Sequence, residues 1–182
     1  MRVILASRSP RRRELLKKLV PDFETVSAEA DEDYIGASPS ETVIEISKRK
    51  ANAVICPAES IVIASDTLVY FNGVYLGKPR DRADAKRMLT MLSGNTHTVF
   101  SGVAVRAGEH LYTASAKSDV TFWDMAEADI DDYIATHEVM DKAGAYAIQD
   151  GVLVSSYTGE YANIMGLPLE ILKDILGKIG LK

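Results

Sequence analysis

Short apolar runs alternate along this chain with segments whose apolar residues have helical spacing, and this alternation constrains the fold most. Residues 3–6 and 61–64 are apolar runs of a length typical of buried strands. Between them, residues 40–54 carry apolar side chains at helical spacing. Strands that alternate with helices bury their apolar sides when the helices pack on a sheet. The pattern therefore predicts an α/β fold with a mixed β-sheet.

The other predicted elements continue this alternation. Ser9 followed by Pro10 predicts a helix that begins there and ends before Pro21. Asn72-Gly73, between two apolar runs, predicts a tight hairpin. Further strands are predicted near residues 23–26, 96–106, 110–123, 152–156 and 162–165, further helices near 81–92, 127–136 and after Pro168, and a loop over 29–39.

Length and composition fit one domain, residues 1–182, of which 47% are hydrophobic and 26% are charged. The single cysteine, Cys56, cannot form an internal disulfide, so we expect a cytoplasmic protein. No apolar stretch reaches the roughly 18 residues of a membrane helix, so no membrane partner is expected. The net charge of −5 also predicts no stable nucleic-acid binding, which requires a broad basic surface.

The junction between the first strand and the first helix is the first candidate site. It contains two serines, Ser7 and Ser9, and two arginines, Arg11 and Arg12. Hydroxyls, guanidinium groups and backbone N–H groups at such a junction can bind phosphate. Arginines there oppose the helix dipole, which favours a functional reason for their presence. A capped helix with a solvated basic first turn is the alternative.

The second candidate is Asp66, where the apolar run 61–64 meets Ser65-Asp66-Thr67. Ligands of α/β proteins commonly bind where strands end. An aspartate there can hold a hard cation and orient a water molecule, and the cation acidifies that water. The alternative is a strand-end aspartate that accepts backbone N–H groups. Asp66 and a metal therefore have to be considered together.

Two lysines and an acidic loop are weaker candidates. The segment 73–79 superficially resembles a phosphate-binding loop, but its glycine spacing is one residue short and a proline replaces the required hydroxyl. Lys78 could still contact phosphate as a point charge, or be an exposed loop lysine. Lys50 lies in a predicted helix, where a solvated face is the alternative. Asp31 and Glu32 could complete a metal site.

Several separated blocks, in one order along nearly the whole chain, resemble the Maf family of nucleotide pyrophosphatases. Any one block is weak, but the ordered set is highly specific. The blocks are Leu5-Ala-Ser-Arg-Ser-Pro-Arg-Arg12, Lys50-Ala51, Ser65-Asp-Thr67, Leu76-Gly-Lys-Pro-Arg-Asp81, Leu92-Ser-Gly-Asn-Thr-His97, Asp141-Lys-Ala-Gly-Ala-Tyr-Ala-Ile-Gln149 and Asn163-Ile-Met-Gly-Leu-Pro-Leu169.

The resemblance implies an elongated mixed sheet with flanking helices, in two lobes around a nucleotide cleft, as in inosine-triphosphate pyrophosphatases. It implies metal-assisted attack of water on the α-phosphate of a nucleoside triphosphate, with Mg²⁺ or Mn²⁺ as cofactor. By the same resemblance, the catalytic residue is Asp66, the metal ligands are Asp66 and Glu32, the phosphate-binding residues are Ser7, Ser9, Arg12, Lys50 and Lys78, and the selectivity residues are Arg11, Thr67 and Gln149.

Within the family, Asp66-Thr67 and the block ending at Gln149 resemble the branch that acts on dTTP and UTP. Uracil and thymine present an N–H between two carbonyl groups, which a glutamine amide can complement. Arg8 and Glu160 depart from the commonest family pattern and put fine selectivity in doubt. Two alternatives remain open: hydrolysis of modified nucleotides, and a non-catalytic regulatory protein. A homodimer is a candidate assembly.

Overall fold

The strands form one mixed seven-stranded sheet in a computed structural model that describes residues 2–181. The strands are β1 (Val3–Ala6), β2 (Glu24–Val26), β3 (Ile61–Phe71), β4 (Val74–Leu76), β5 (Thr96–Ala107), β6 (His110–Phe122) and β7 (Val154–Thr158). Their order is β2-β1-β3-β5-β6-β7, with β4 also paired to β3. β1 is parallel to β2 and β3, whereas the β3–β4 and β6–β7 pairs are antiparallel. The predicted mixed α/β fold is confirmed.

Within residues 2–181, six α-helices connect or follow these strands. They are α1 (Pro10–Leu16), α2 (Pro39–Ala53), α3 (Arg82–Leu92), α4 (Glu127–Thr136), α5 (Tyr161–Met165) and α6 (Leu169–Lys178), and 3₁₀ turns occupy Ala143–Ala145 and Ile148–Asp150. The longest, α2, has 15 residues. Within residues 2–181, no helix has the length and apolar character needed to cross a membrane.

Strand β3 is longer than the sequence predicts. The polar residues at 65–67 were expected to end it, but it continues through 11 residues to Phe71. Its parallel neighbour is much shorter, because Val3 pairs with Ile61 and Leu5 with Ile63 before β1 ends at Ala6. Asp66 therefore lies within a strand, yet just beyond its parallel pairing with β1.

The prediction of a strand over residues 162–165 is wrong, because this segment lies in the short helix α5. Gly166 ends the helix with a φ of 109°, a conformation that favours glycine. The N–H groups of Gly166 and Leu167 donate to the Ala162 carbonyl at 3.1 and 3.0 Å. Periodicity cannot separate strand from helix in so short an apolar run.

The described residues group into two compact units, and the first contains residues 2–67, Phe100–Ala116 and residues 160–181. Alternating side chains of β1 and β3 enter two apolar layers, one on each face of the sheet. One layer, with α1 and α6, includes Val3, Leu5, Leu15, Leu16, Ile61, Ile63, Leu167 and Leu172. The other, with α2, includes Ile4, Ala6, Ala51, Val54, Val62 and Ala64.

The second unit contains Leu68–Val99 and Lys117–Gly159. The predicted hairpin at Asn72-Gly73 is confirmed, and both residues have a positive φ. A buried aromatic group surrounds His97, whose Nε2 lies 2.8 Å from the Tyr146 hydroxyl. Burial lowers the pKa of His97 to about 4, so its imidazole is neutral at neutral pH.

Candidate active site

Strand β3 directs its adjacent polar residues to opposite faces of the sheet. Asp66 lies on the side of α2, together with Lys50 and Glu32, and we call these three residues the charged face. Ser65 and Thr67 lie on the side of α1 and α5. We call Arg12, Ser65, Thr67 and Ser101, with the carbonyls of Asn163 and Gly166, the hydroxyl face.

The charged face is a lysine between two carboxylates. Lys50 Nζ lies 2.7 Å from Asp66 Oδ1 and 3.0 Å from Glu32 Oε2. The side chains of Lys50 and Asp66 are only 9% and 13% exposed, whereas that of Glu32 is 50% exposed. A lysine this buried requires a charged partner. The lysine therefore fixes one oxygen of Asp66 and offsets part of the negative charge of the two acids.

Helix α2 positions Lys50 because it packs closely on the sheet. Ser38 caps the helix by accepting the Glu41 N–H at 3.1 Å. Residues at helical spacing on its inner face, Ile46 and Lys50 among them, are buried. At Gly102 of β5, a β-carbon would lie 2.4 Å from the Val43 carbonyl oxygen of α2. Glycine at this position thus permits the approach that buries Lys50.

The charged face contains two carboxylates, the type of oxygen ligand that a hard divalent cation prefers. Within residues 2–181 there is no group of three or more His, Cys, Asp or Glu residues able to hold a metal ion. Mg²⁺, however, is commonly bound by one or two carboxylates, waters and substrate phosphates. Lys50 contacts Asp66 through Oδ1. Asp66 Oδ2 and the Glu32 carboxylate are therefore the oxygen groups of this face that suit such a cation.

On the hydroxyl face, Arg12 joins α1 to β3 and to the turn after α5. Its Nε donates to the Gly166 carbonyl at 2.8 Å, and Nη2 donates to Thr67 Oγ1 at 3.1 Å. Burial lowers the pKa of Arg12, while the negative charge of Asp66 opposes this shift. An arginine remains a hydrogen-bond donor at every physiological pH. Arg12 is thus a structural donor as well as a cation.

Two buried serines extend this network, and neither Ser65 nor Ser101 was among the predicted site residues. Ser65 Oγ lies 2.7 Å from the Gly102 carbonyl and 2.9 Å from the Gly166 carbonyl. Ser101 Oγ lies 2.9 Å from Thr67 Oγ1 and donates to the Asn163 carbonyl at 2.9 Å. The Ser65–Thr67 spacing signals a shared strand face, but nothing local in the sequence signals Ser101.

The junction from β1 to α1 has the predicted cap. Ser9 Oγ accepts the Arg12 N–H at 3.4 Å, and Ser7 Oγ accepts the Ser9 N–H at 3.1 Å. Arg11 is half-buried in the first turn of α1. The helix ends at Leu16, earlier than expected, and turns follow it. Phosphate binding by the two serines remains a prediction.

Lys78 and Gln149 belong to the second unit, and both are exposed. Lys78 follows β4, and Gln149 lies in the 3₁₀ turn Ile148–Asp150. The Gly144 N–H donates to the Gly77 carbonyl at 3.0 Å. This hydrogen bond joins the sequence block that contains Lys78 to the block that contains Gln149. Among the predicted residues, the contacts thus assemble two groups, Glu32–Lys50–Asp66 and Ser7–Ser9–Arg12–Thr67. The roles of Lys78 and Gln149 remain predictions.

A solved structure shares the fold of this chain, and a family model matches its sequence. The structure of the Staphylococcus aureus Ham1 protein superposes with a TM-score of 0.52 at 17% identity, covering 98% of this chain and 100% of that one. The two proteins therefore share a fold. The sequence model of the family described as Maf-like protein matches residues 2–179. This chain belongs to the Maf family.

Curated relatives match along nearly their whole length. The dTTP/UTP pyrophosphatase of Lacticaseibacillus casei is 44% identical, covering 96% of this chain and 97% of the relative. The dTTP/UTP pyrophosphatase of Clostridium novyi is 45% identical, covering 99% and 98%. That of Bacillus cytotoxicus is 46% identical, covering 91% and 89%. The resemblance inferred from the ordered sequence blocks is confirmed.

Proposed function

We propose that this chain hydrolyses dTTP and UTP to the nucleoside monophosphate and pyrophosphate. Relatives that this chain matches along nearly their whole length are named dTTP/UTP pyrophosphatase, and they support the reaction and the substrates. The observation that carries the catalytic assignment is the largely buried Lys50–Asp66 pair, at 2.7 Å, beside the point where β1 ends. A structural ion pair has no need of a second acid, yet Glu32 also contacts Lys50.

In this proposal, Asp66 orients the attacking water and accepts its proton through Oδ2, while Lys50 holds Oδ1. The water attacks the α-phosphorus in line with the bond to the leaving pyrophosphate. Positive side chains stabilise the charge that develops on the phosphate oxygens. Lys50, next to Asp66, is one of these side chains. Arg12 is another, because its Nε and Nη2 donate to protein acceptors and its Nη1 can donate to a phosphate. Ser7, Ser9 and Lys78 are proposed as further phosphate contacts.

We propose Mg²⁺ or Mn²⁺ as the cofactor, held by Asp66, Glu32 and the triphosphate. When bound, such an ion neutralises phosphate charge and lowers the pKa of water. For base selectivity, the proposed residues are Arg11, Thr67 and Gln149. We further propose that both units act together as one functional domain, residues 1–182, in a cytoplasmic protein. A homodimer and the absence of stable nucleic-acid binding also remain predictions.

The test is product analysis with a panel of nucleoside triphosphates, canonical and modified, in Mg²⁺ or Mn²⁺. We expect pyrophosphate release from dTTP and UTP, and a fall in kcat of about 10²- to 10⁴-fold in Asp66→Asn, because a general base is lost. Glu59→Gln is the matched control, since this carboxylate is exposed in the turn before β3. Its kcat should equal that of the wild type.

Other products would separate the alternatives. Release of orthophosphate in place of pyrophosphate would overturn attack at the α-phosphorus. Faster turnover of a modified triphosphate than of dTTP and UTP would overturn the substrate assignment. A wild-type protein that binds nucleotides but hydrolyses none would favour the regulatory alternative.

A further inference from the structure

The hydroxyl face contains a continuous series of hydrogen bonds whose two ends fix its direction. Arg12 Nη2 donates to Thr67 Oγ1 at 3.1 Å, Thr67 Oγ1 lies 2.9 Å from Ser101 Oγ, and Ser101 Oγ lies 2.9 Å from the Asn163 carbonyl. A guanidinium group can only donate, and a carbonyl oxygen can only accept. The two hydroxyls between them therefore have a defined polarity.

Each hydroxyl has one proton, so all three hydrogen bonds form only if Ser101 donates to the Asn163 carbonyl and Thr67 donates to Ser101. Ser101 donates to the Asn163 carbonyl, which leaves Thr67 as the donor in the Thr67–Ser101 pair. The other acceptor near Thr67 is the Gly166 carbonyl, at 3.5 Å, which already accepts Arg12 Nε at 2.8 Å. A bond of 3.5 Å is weak compared with one of 2.9 Å. With either acceptor, the proton of Thr67 points into the protein.

We propose that Ser101 is a positioning residue for nucleobase selectivity. Ser101 accepts the hydrogen bond that Thr67 donates, so Thr67 can act only as a hydrogen-bond acceptor toward the substrate. This inference rests on the proposed function, in which Thr67 contacts the base. Thr67 accepts from Arg12 and donates to Ser101, so one lone pair remains. That lone pair suits the N3–H of uracil and thymine. Cytosine has no proton on N3 and is disfavoured.

Ser101 acts through Thr67 and does not touch the substrate itself. It lies on β5 with no exposed surface, beneath the partly exposed Thr67. Without the Ser101 hydroxyl, Thr67 loses its good acceptor and can turn its proton toward a ligand. A Thr67 that can donate accommodates N3 of cytosine. Loss of Ser101 therefore relaxes selectivity without removing any group that contacts the base.

The experiment compares kcat/KM for UTP and CTP in Ser101→Ala and the wild type. We expect the UTP-to-CTP ratio to fall about three- to tenfold, the range of one neutral hydrogen bond. Ser101→Thr retains the hydroxyl and should restore most of the ratio. Ser47→Ala is the matched control, because Ser47 is equally buried and donates to the Val43 carbonyl at 2.6 Å without contacting Thr67. It should lower stability and leave the ratio unchanged.

The outcomes distinguish this inference from the proposed function. A wild-type protein that hydrolyses neither UTP nor dTTP contradicts the proposed function. A UTP-hydrolysing enzyme whose ratio is the same in Ser101→Ala overturns the role of Ser101. If Ser101→Ala does not fold, Ser101→Cys serves instead, because a thiol of similar size is a weaker acceptor. Its ratio should also fall, and an unchanged ratio counts against the inference.

Discussion

The two faces of β3 hold their polar groups by different means, although Asp66 and Thr67 are neighbours in sequence. On the charged face, Lys50 pairs with Asp66 and with Glu32, and the Glu32 side chain is half exposed. On the hydroxyl face, uncharged serine and threonine hydroxyls bond mainly to backbone carbonyls, and only Arg12 carries charge. One strand therefore supports an ion-pair site on one face of the sheet and, on the other face, a network of hydroxyls and backbone carbonyls with a single arginine.

The difference follows from the cost of burying charge. An ionised group in the protein interior requires compensation, whereas a hydroxyl requires only one or two hydrogen-bond partners. The charged face opens toward solvent at Glu32, so its carboxylates can exchange partners when a charged ligand binds. On the hydroxyl face, Ser65 and Ser101 have no exposed surface and their acceptors belong to the backbone. We infer that the first face performs the chemistry and the second fixes orientation.

The largest effect that separates the faces is expected from Lys50→Met. This change removes the cation between Asp66 and Glu32 but retains a long side chain. We expect kcat to fall about 10²- to 10³-fold, because electrostatic stabilisation and the position of Asp66 are both lost. Lys48→Met is the control, since Lys48 is more exposed on the same helix and pairs with Glu45 at 2.8 Å. Steady-state kinetics with UTP measures both.

If Lys50→Met kept wild-type kcat, the Lys50–Asp66 pair would be a structural ion pair. The assignment of Asp66 as a base would then lose its main support.

A smaller effect, on stability, is expected from Arg12→Lys on the hydroxyl face. An ammonium group cannot donate in two fixed directions to Thr67 and the Gly166 carbonyl. We expect the free energy of unfolding in urea to fall by about 1.5–3 kcal/mol, the range of a hydrogen bond from a charged group. Arg13→Lys, at an exposed position of the same helix, should change it by less than about 0.5 kcal/mol. Equal stability of the two variants would show that Arg12 does not hold this face together.

The same contrast explains how much the sequence could predict. Ser9 as helix cap, the Asn72-Gly73 hairpin and the α/β class follow from local patterns, and all are confirmed. The pairing of Lys50 with Asp66 does not follow from a local pattern, because α2 and β3 approach each other only in the folded chain. The family resemblance nevertheless named both residues.

The hydrogen bonds of the hydroxyl face could not be predicted from the sequence, for a related reason. Ser101 has no neighbouring motif, and its partner is the Asn163 carbonyl, which every residue type carries. A strand over residues 162–165, as predicted, would not end in the turn at Gly166, so the position of the Gly166 carbonyl was not predicted. A short apolar run gives no period, and the Gly166 cap that stabilises α5 uses backbone atoms. Tertiary contacts of the main chain leave little signal in the sequence.

The smallest predicted effect concerns Glu160, whose side chain caps a helix of the first unit. Its Oε1 accepts the N–H groups of Leu169 and Glu170 at 2.7 and 3.2 Å, so it caps α6 next to the turn that presents the Gly166 carbonyl. Glu160→Ala should lower the free energy of unfolding by about 1 kcal/mol, as expected for a lost helix cap. Glu160→Gln keeps an acceptor oxygen and should cost less.

The pH dependence of the difference in stability between the wild type and Glu160→Gln tests whether the charge of Glu160 matters. Burial raises the pKa of Glu160, although the two N–H groups oppose the shift. The folded protein therefore binds the proton more readily than the unfolded chain, and stability rises as the pH falls through the raised pKa. Urea unfolding at pH 7 and pH 4.5 should show the wild type gaining stability relative to Glu160→Gln at the lower pH. A gain at the higher pH would mean that the hydrogen bonds to the ionised carboxylate outweigh its burial.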